Sequence, residues 1–188
     1  MMTENLMNKI VSYLLLMLCM SLTACSDDSK TELTVVDAQN AYNDAKGTYK
    51  GVVLDENVPT AVYINIGDEF SIRDLPVTPL LSRFFSGKDL DDAVASVKER
   101  IFKAPTSSMT IERDLVYVIM EPADWMFTAT VGNKKYNVTA LMNTTVRYSN
   151  TYKTLSASII VEDLYCNGQK ADLSSNKITW LIDEATKQ

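Results

Sequence analysis

The chain has 188 residues, 46% of them hydrophobic and 22% charged, with a formal net charge of −6 and no histidine. Without histidine, Ser-His-Asp and Cys-His catalysis and every histidine-based metal site are excluded. Mild acidity without clustered Lys and Arg also argues against nucleic acid as a partner, because duplex binding depends on neutralising phosphates.

Lys9 precedes the apolar run from Ile10 to Met20, which has the length of a signal-peptide core and falls short of the roughly 20 residues that a membrane-spanning helix needs. The run gives way to Leu22-Thr23-Ala24-Cys25, which resembles a lipobox. That resemblance implies cleavage after Ala24 and a diacylglycerol on the Cys25 sulfur, so that the membrane is a partner through a lipid anchor. A conventional cleaved signal with an incidental cysteine is the alternative. Ser26-Asp27-Asp28, followed by Ser29, resembles the acidic export signal of Bacteroidetes surface lipoproteins and implies an outer-membrane lipoprotein displayed on the cell surface. The plainer alternative is a solvated tether from Ser26 to Thr34, with the domain facing the periplasm. The chain thus divides into a signal peptide (1–24), a lipidated cysteine and tether (25–34), and a single domain (35–188). Removing residues 1–24 from the 188 leaves 164, enough for one proper core.

The first helix is predicted from Val35 to Lys46, with Thr34 as N-cap, Ala38, Ala41, Tyr42 and Ala45 on one face, and Gly47 as the C-terminal glycine. Thr48–Leu54 and Ala61–Ile66 read as a hairpin across a turn from Asp55 to Pro59. Phe70–Phe85, with Pro76 and Pro79, reads as a loop holding a short strand or a turn of helix. A second helix is predicted from Asp89 to Phe102, where Leu90, Ala93, Val94, Val97 and Ile101 share a face. Its first-turn acids Asp89, Asp91 and Asp92 complement the helix dipole, and their spacing lacks the glycine turn and distal glutamate of a calcium loop.

Strands are then predicted at Met109–Met120, Asp124–Val131, Lys135–Tyr148, Lys153–Cys166 and Lys177–Ile182. Trp125, Phe127, Ala129 and Val131 alternate with polar neighbours, as do Leu155, Ala157, Ile159 and Val161. Gly132-Asn133 and Asn167-Gly168 are turn signals, the second fitting a type I′ hairpin. Two helices and about seven strands predict an α+β fold: a twisted antiparallel sheet, open or curled into a partial barrel, with both helices packed against it.

No nucleotide-binding or nucleophile-elbow motif occurs, and no cofactor is expected. Carboxylate chemistry remains open at Glu112, Asp114, Glu121, Asp124, Glu162 and Asp163, on or beside strands, although a solvated face explains them more simply. Tyr49, Tyr63, Trp125, Tyr136, Tyr148, Tyr152, Tyr165 and Trp180 are spread through the strands, mainly as core and otherwise as ligand platforms. Once Cys19 leaves with the signal and Cys25 takes lipid, Cys166 is a lone thiol without a bridge partner. It reads as a half-buried strand-end residue, and Cys166→Ser is expected to leave stability almost unchanged.

The run from Leu22 to Asp28, then Ala41-Tyr42-Asn43-Asp44-Ala45 leading into Gly47-Thr48-Tyr49-Lys50-Gly51, resembles the small Bacteroidetes lipoproteins with a domain of unknown function. The resemblance implies an envelope lipoprotein and brings no catalytic residues. Gly47–Gly51 is also similar to the opening strand of lipocalin-like barrels, but Tyr49 stands near where those carry Trp and the helices depart from their plan. The expected function is non-enzymatic binding of a glycan, a small apolar ligand or another envelope protein. A lipocalin-like carrier of an apolar ligand and a carboxylate-based glycan hydrolase are the alternatives.

Overall fold

The computed structural model describes residues 35–188 apart from 56 and 113. Leu22, Thr23, Ala24, Cys25, Ser26, Asp27, Asp28 and the Thr34 cap lie outside the described residues. Helix α1 (Val35–Ala45) leads into strands β1 (Gly47–Asp55), β2 (Val58–Ile66) and β3 (Phe70–Arg73), then helices α2 (Thr78–Leu81) and α3 (Gly87–Ser96). The remaining strands are β4 (Ile101–Ala104), β5 (Thr106–Glu112), β6 (Leu115–Met120), β7 (Ala123–Val131), β8 (Lys134–Ser149), β9 (Thr154–Cys166), β10 (Gln169–Lys170) and β11 (Thr179–Lys187). No helix among the described residues is long and apolar enough to cross a membrane.

All pairings are antiparallel, in the order β4-β3-β2-β1-β11-β9-β8-β6-β5, with β10 on β9 and β7 on β8. The 16-residue β8 carries β9 along one edge and shares its other edge between β7, at Lys134–Met142, and β6, at Thr145–Ser149. The sheet curls until β4 lies beside β7 without joining its ladder, giving a nearly closed, barrel-like sheet. Helix α3 covers that seam, and its Ser96 Oγ accepts the Thr130 N–H at 2.7 Å, satisfying a donor on the free edge of β7.

Strand makes up 59% of the described residues, so the fold is closer to all-β than to the predicted α+β class, and three helices rather than two lie among the described residues. The extra one is α2, a single turn with Pro79 at its start, where the ring's fixed φ suits the helix and its missing N–H costs nothing. The stretch from Phe70 to Phe85, expected to hold a short strand or a turn of helix, holds both, β3 and α2. The second helix stops at Ser96 instead of Phe102, because Ile101 and Phe102 pair with Arg73 and Ile72 as a sheet edge and Phe102 is buried there. Helical periodicity continued past Ser96, but sheet pairing won. The single strand predicted at Met109–Met120 is two strands, β5 and β6, with Glu112 opposite Leu115. Asp114 stabilises that reversal by accepting from Ser149 Oγ at 3.3 Å and, through its carbonyl, from the Asn150 N–H at 2.8 Å. The first hairpin turns more tightly than predicted, with Asp55 opposite Val58, and Gly47 opens β1 at φ +144° instead of capping α1.

Inward faces follow the predicted alternation. Trp125 and Ala129 on β7, and Leu155, Ala157, Ile159 and Val161 on β9, are buried. A bulge at Glu162 then shifts the β9 register, since Leu141 faces Asp163 while Met142 faces Val161. The buried set moves from odd to even numbers, placing Leu164 and Cys166 inside and leaving Glu162 and Asp163 outward as neighbours. Gly132 (φ +57°) and the pair Asn167 (φ +49°) and Gly168 (φ +81°) form the predicted turns.

One inward position breaks the apolar pattern. Thr144 is 1% exposed, aligned through Ile159 with Trp180, and its hydroxyl has no hydrogen-bond partner among the described residues. An unsatisfied buried polar group costs about 1–3 kcal/mol, whereas a methyl of the same size costs nothing there. Thr144→Val is therefore expected to raise stability by about 1 kcal/mol, read as a higher urea midpoint at unchanged slope. A lower midpoint would contradict the assignment of that hydroxyl as unpaired.

The two ends of the barrel are closed differently. At one end α1 packs Ala41, Tyr42 and Ala45 on the core, Tyr42 Oη donates to the Gly67 carbonyl at 2.9 Å, and Tyr49 Oη donates to the Ala45 carbonyl at 2.8 Å. Burial and the neighbouring Tyr148 ring hold the Tyr49 phenol well above its ordinary pKa, so it stays a neutral donor. At the other end, where β1 finishes and β8 begins, α2 is held by Thr78 Oγ1 donating to Asp55 Oδ2 at 2.9 Å. The turn after α2 folds over that mouth.

Candidate ligand cleft at the barrel mouth

The inward face of β8 reaches the mouth at Tyr136, and that of β9 ends at Cys166. Above them the backbone after α2 stays wound, with Phe84 and Phe85 donating to the Leu81 carbonyl at 3.0 and 2.9 Å. This winding brings Phe85 edge-on to Tyr136, with ring centroids 4.9 Å apart and planes at 80°. Arg83, Phe84, Phe85, Tyr136, Cys166, Asn167 and Gln169 line a cleft of about 300 Å³.

Two of its polar groups are fixed from behind. Arg83 Nη2 donates to the Asn176 carbonyl at 2.8 Å, setting the guanidinium at the rim. Asn167 is clamped to Asn137: its N–H donates to the Asn137 carbonyl at 2.8 Å, and its Oδ1 accepts the Asn137 N–H at 2.9 Å. The Asn167 amide nitrogen is thereby oriented as a donor. The lining carries one guanidinium and, among the described residues, no carboxylate.

A second cleft, of about 590 Å³, lies on the outer face beyond the loop 171–178. The bulge puts Glu162 and Asp163 on its wall, with Asp172, Lys170 and Lys177 around them. Lys170 pairs with Asp163 at 2.5 Å and Lys177 with Glu162 at 3.8 Å. The Asp163 hydrogen bond pushes the Lys170 ammonium above its ordinary pKa, and hydrogen bonds from Ser174 hold Asp172 below the usual carboxylate value. Of the six strand acids singled out in the sequence, these two share a cleft. Glu112, Glu121 and Asp124 are exposed, and Asp114 serves the β5–β6 turn. Asp89, Asp91 and Asp92 lie exposed on α3, and no group of three or more potential metal ligands occurs among the described residues.

Most of the named aromatics are structural. Tyr49, Trp125, Tyr148 and Trp180 are buried, while Tyr63 stacks with Arg73 and Tyr165 with Lys170. Tyr152 is exposed and stands apart from the mouth cleft. Tyr136 alone among the eight lines that cleft, where its ring meets Phe85. Its ring partner Phe85, with Phe84 and Arg83 beside it, carries no periodic signal of this role in the sequence, because all three sit in the proline-containing stretch without a period. The available signal was two adjacent phenylalanines, which no single helix or strand face can bury together.

Cys166 differs from its expected half-buried state: it is 6% exposed, and burial raises the thiol pKa. The β9 bulge turns it inward. Cys166→Ser is accordingly expected to cost about 1 kcal/mol rather than nothing, because the serine hydroxyl loses water without a built partner. Urea unfolding of the two proteins checks this, and coincident midpoints would return the residue to its sequence-based description.

No family model matches the chain, nor does any curated protein or solved structure, so the assignment of its site rests on the geometry itself.

Proposed function

We propose that this chain is a lipid-anchored envelope lipoprotein, displayed on the outer surface of the outer membrane, whose barrel-like domain binds a ligand without chemical turnover. The observation that carries the binding reading is the mouth cleft, where Phe84, Phe85 and Tyr136 converge with fixed polar groups at the end of a barrel, a common place for ligand sites. The lipobox Leu22–Cys25 and the Ser26-Asp27-Asp28 signal support the anchor and the surface location, and the likeness to small Bacteroidetes lipoproteins agrees with both.

The alternatives have less support. A lipocalin-like carrier shares the barrel outline, but an interior cavity of several hundred Å³ would leave its lining accessible. Tyr49, Met142 and Leu155, on three separate strands, are each 0% exposed. A carboxylate hydrolase needs two acids facing a substrate, whereas Glu162 and Asp163 point from one strand and are each tied to a lysine.

Protease shaving of intact cells tests the location, with a periplasmic protein as leakage control. Digestion of this chain while the control survives is expected. Protection of both would move the domain to the periplasmic face and direct the search to envelope partners.

A further inference from the structure

We infer that the mouth cleft takes a ring that carries a carboxylate, with Arg83 pairing the carboxylate and Phe84, Phe85 and Tyr136 holding the ring. The inference rests on the binding reading above and names the ligand class of that site.

Three features of the cleft point the same way. Its volume of about 300 Å³ lies at the lower end for small-molecule sites, which suits one ring or the terminal ring of a chain. Its lining pairs aromatic surface with donors: Arg83, the oriented Asn167 amide and the Gln169 amide face the same space. A ligand therefore needs acceptors for these donors and a small apolar edge or face for the ring surface that stays open. The charge pattern supplies the third feature. The protein carries a net charge of −6, yet this lining holds a guanidinium and no carboxylate.

The Asn176 carbonyl engages one guanidinium nitrogen, which fixes the plane of the fork and leaves further N–H donors for a carboxylate. A fixed fork loses less freedom on pairing than a mobile side chain would. Asp172, whose carboxyl feels the Arg83 charge, lies with the neighbouring cleft and not within this one. The positive group thus faces the mouth without an acid among the residues lining it. The same chemistry is offered by two sources, a uronic acid at the end of an acidic glycan and a free aromatic acid.

Calorimetric titration of the full chain in detergent with a galacturonic acid oligosaccharide, its neutral galactose counterpart and benzoate separates them. Saturable binding of the acidic oligosaccharide is expected, with the neutral counterpart at least tenfold weaker. Arg83→Gln and Tyr136→Ala should each weaken it tenfold or more. Arg83→Gln also gives up the bond to the Asn176 carbonyl, so its urea midpoint is measured beside its affinity, and a midpoint close to wild type assigns the lost affinity to the carboxylate pairing. Binding of benzoate alone, with the same dependence on Arg83 and Tyr136, would support the cleft and assign an aromatic acid as the source. Binding that ignores both substitutions would overturn the cleft while leaving the domain a binding module. Equal affinity for the acidic and neutral sugars, or no binding of either acid, would overturn the ligand class, and the surface reading would still stand or fall separately on the shaving result.

Discussion

Gly51→Val is expected to destabilise the domain by about 3 kcal/mol. Gly51 faces inward between β1 and β11, and those strands pair only at Tyr49–Lys187 and Lys50–Thr186. Just beyond, β11 is interrupted by a register shift between Ile182 and Ala185, with Glu184 at φ +52°. The irregularity swings β11 across the end of the β1 ladder, and the Ile182 side chain fills the space over Gly51. A Cβ at position 51 would collide with Ile182 Cγ2 and come within 3.1 Å of Ala185 Cβ. Neither atom is the free end of a flexible chain, so the strands themselves must move. Alanine already meets this clash, and valine adds two methyl groups in the same crowded layer. At about 2–4 °C per kcal/mol for a domain of this size, the valine variant should melt roughly 6–12 °C lower. A double-mutant cycle isolates the cause: Gly51→Ala combined with Ile182→Ala should cost less than the sum of the two single changes. Additive losses would mean that Ile182 is not what excludes a side chain at Gly51.

That glycine also marks where sequence reasoning reached its limit. Period-two alternation located β7, β8 and β9 within a residue or two, because Trp125, Ala129, Leu155 and Ile159 must all turn toward one core. The Asn167-Gly168 turn was legible because both residues need positive φ. Closure of the sheet was not. It depends on Gly51, on the Glu162 bulge and on Ser96 meeting Thr130 across 34 positions, none of which leaves a local pattern. No glycine, asparagine or proline stands in the sequence between Glu112 and Leu115, so the strand pair β5 and β6 reads as one strand. For the candidate site, Tyr136 stands among eight aromatics spread through the strands, but Phe85 comes from a loop whose path follows α2 at the barrel end. Adjacent phenylalanines flag an exposed apolar surface; only tertiary structure says which ring they meet.

Cys25→Ala is expected to move the protein from the membrane pellet to the soluble fraction. The lipobox resemblance implies a diacylglycerol on the Cys25 sulfur, and each buried CH₂ of an acyl chain would be worth about 0.8 kcal/mol. One chain of ordinary length gives marginal, reversible attachment, whereas two or more make it practically permanent. No helix among the described residues is long and apolar enough to cross a bilayer, and the large exposed apolar side chains are Val52 and Leu54 on β1, Val58 on β2, Ile119 on β6, Met126 on β7, Tyr152 in the β8–β9 turn and Leu181 on β11. The apolar run from Ile10 to Met20 is about half the length that a spanning helix requires, so an uncleaved precursor would hold on weakly. Fractionation combined with mass measurement of the N-terminal peptide separates the cases. Wild-type protein should begin at a lipid-bearing Cys25, and the alanine variant should be soluble with no added lipid mass. Retention of the variant with residues 1–24 still attached would make the apolar run the anchor. Retention after their removal would place the membrane contact in the domain, and the scattered apolar residues would then need re-examination as a lipid-facing surface.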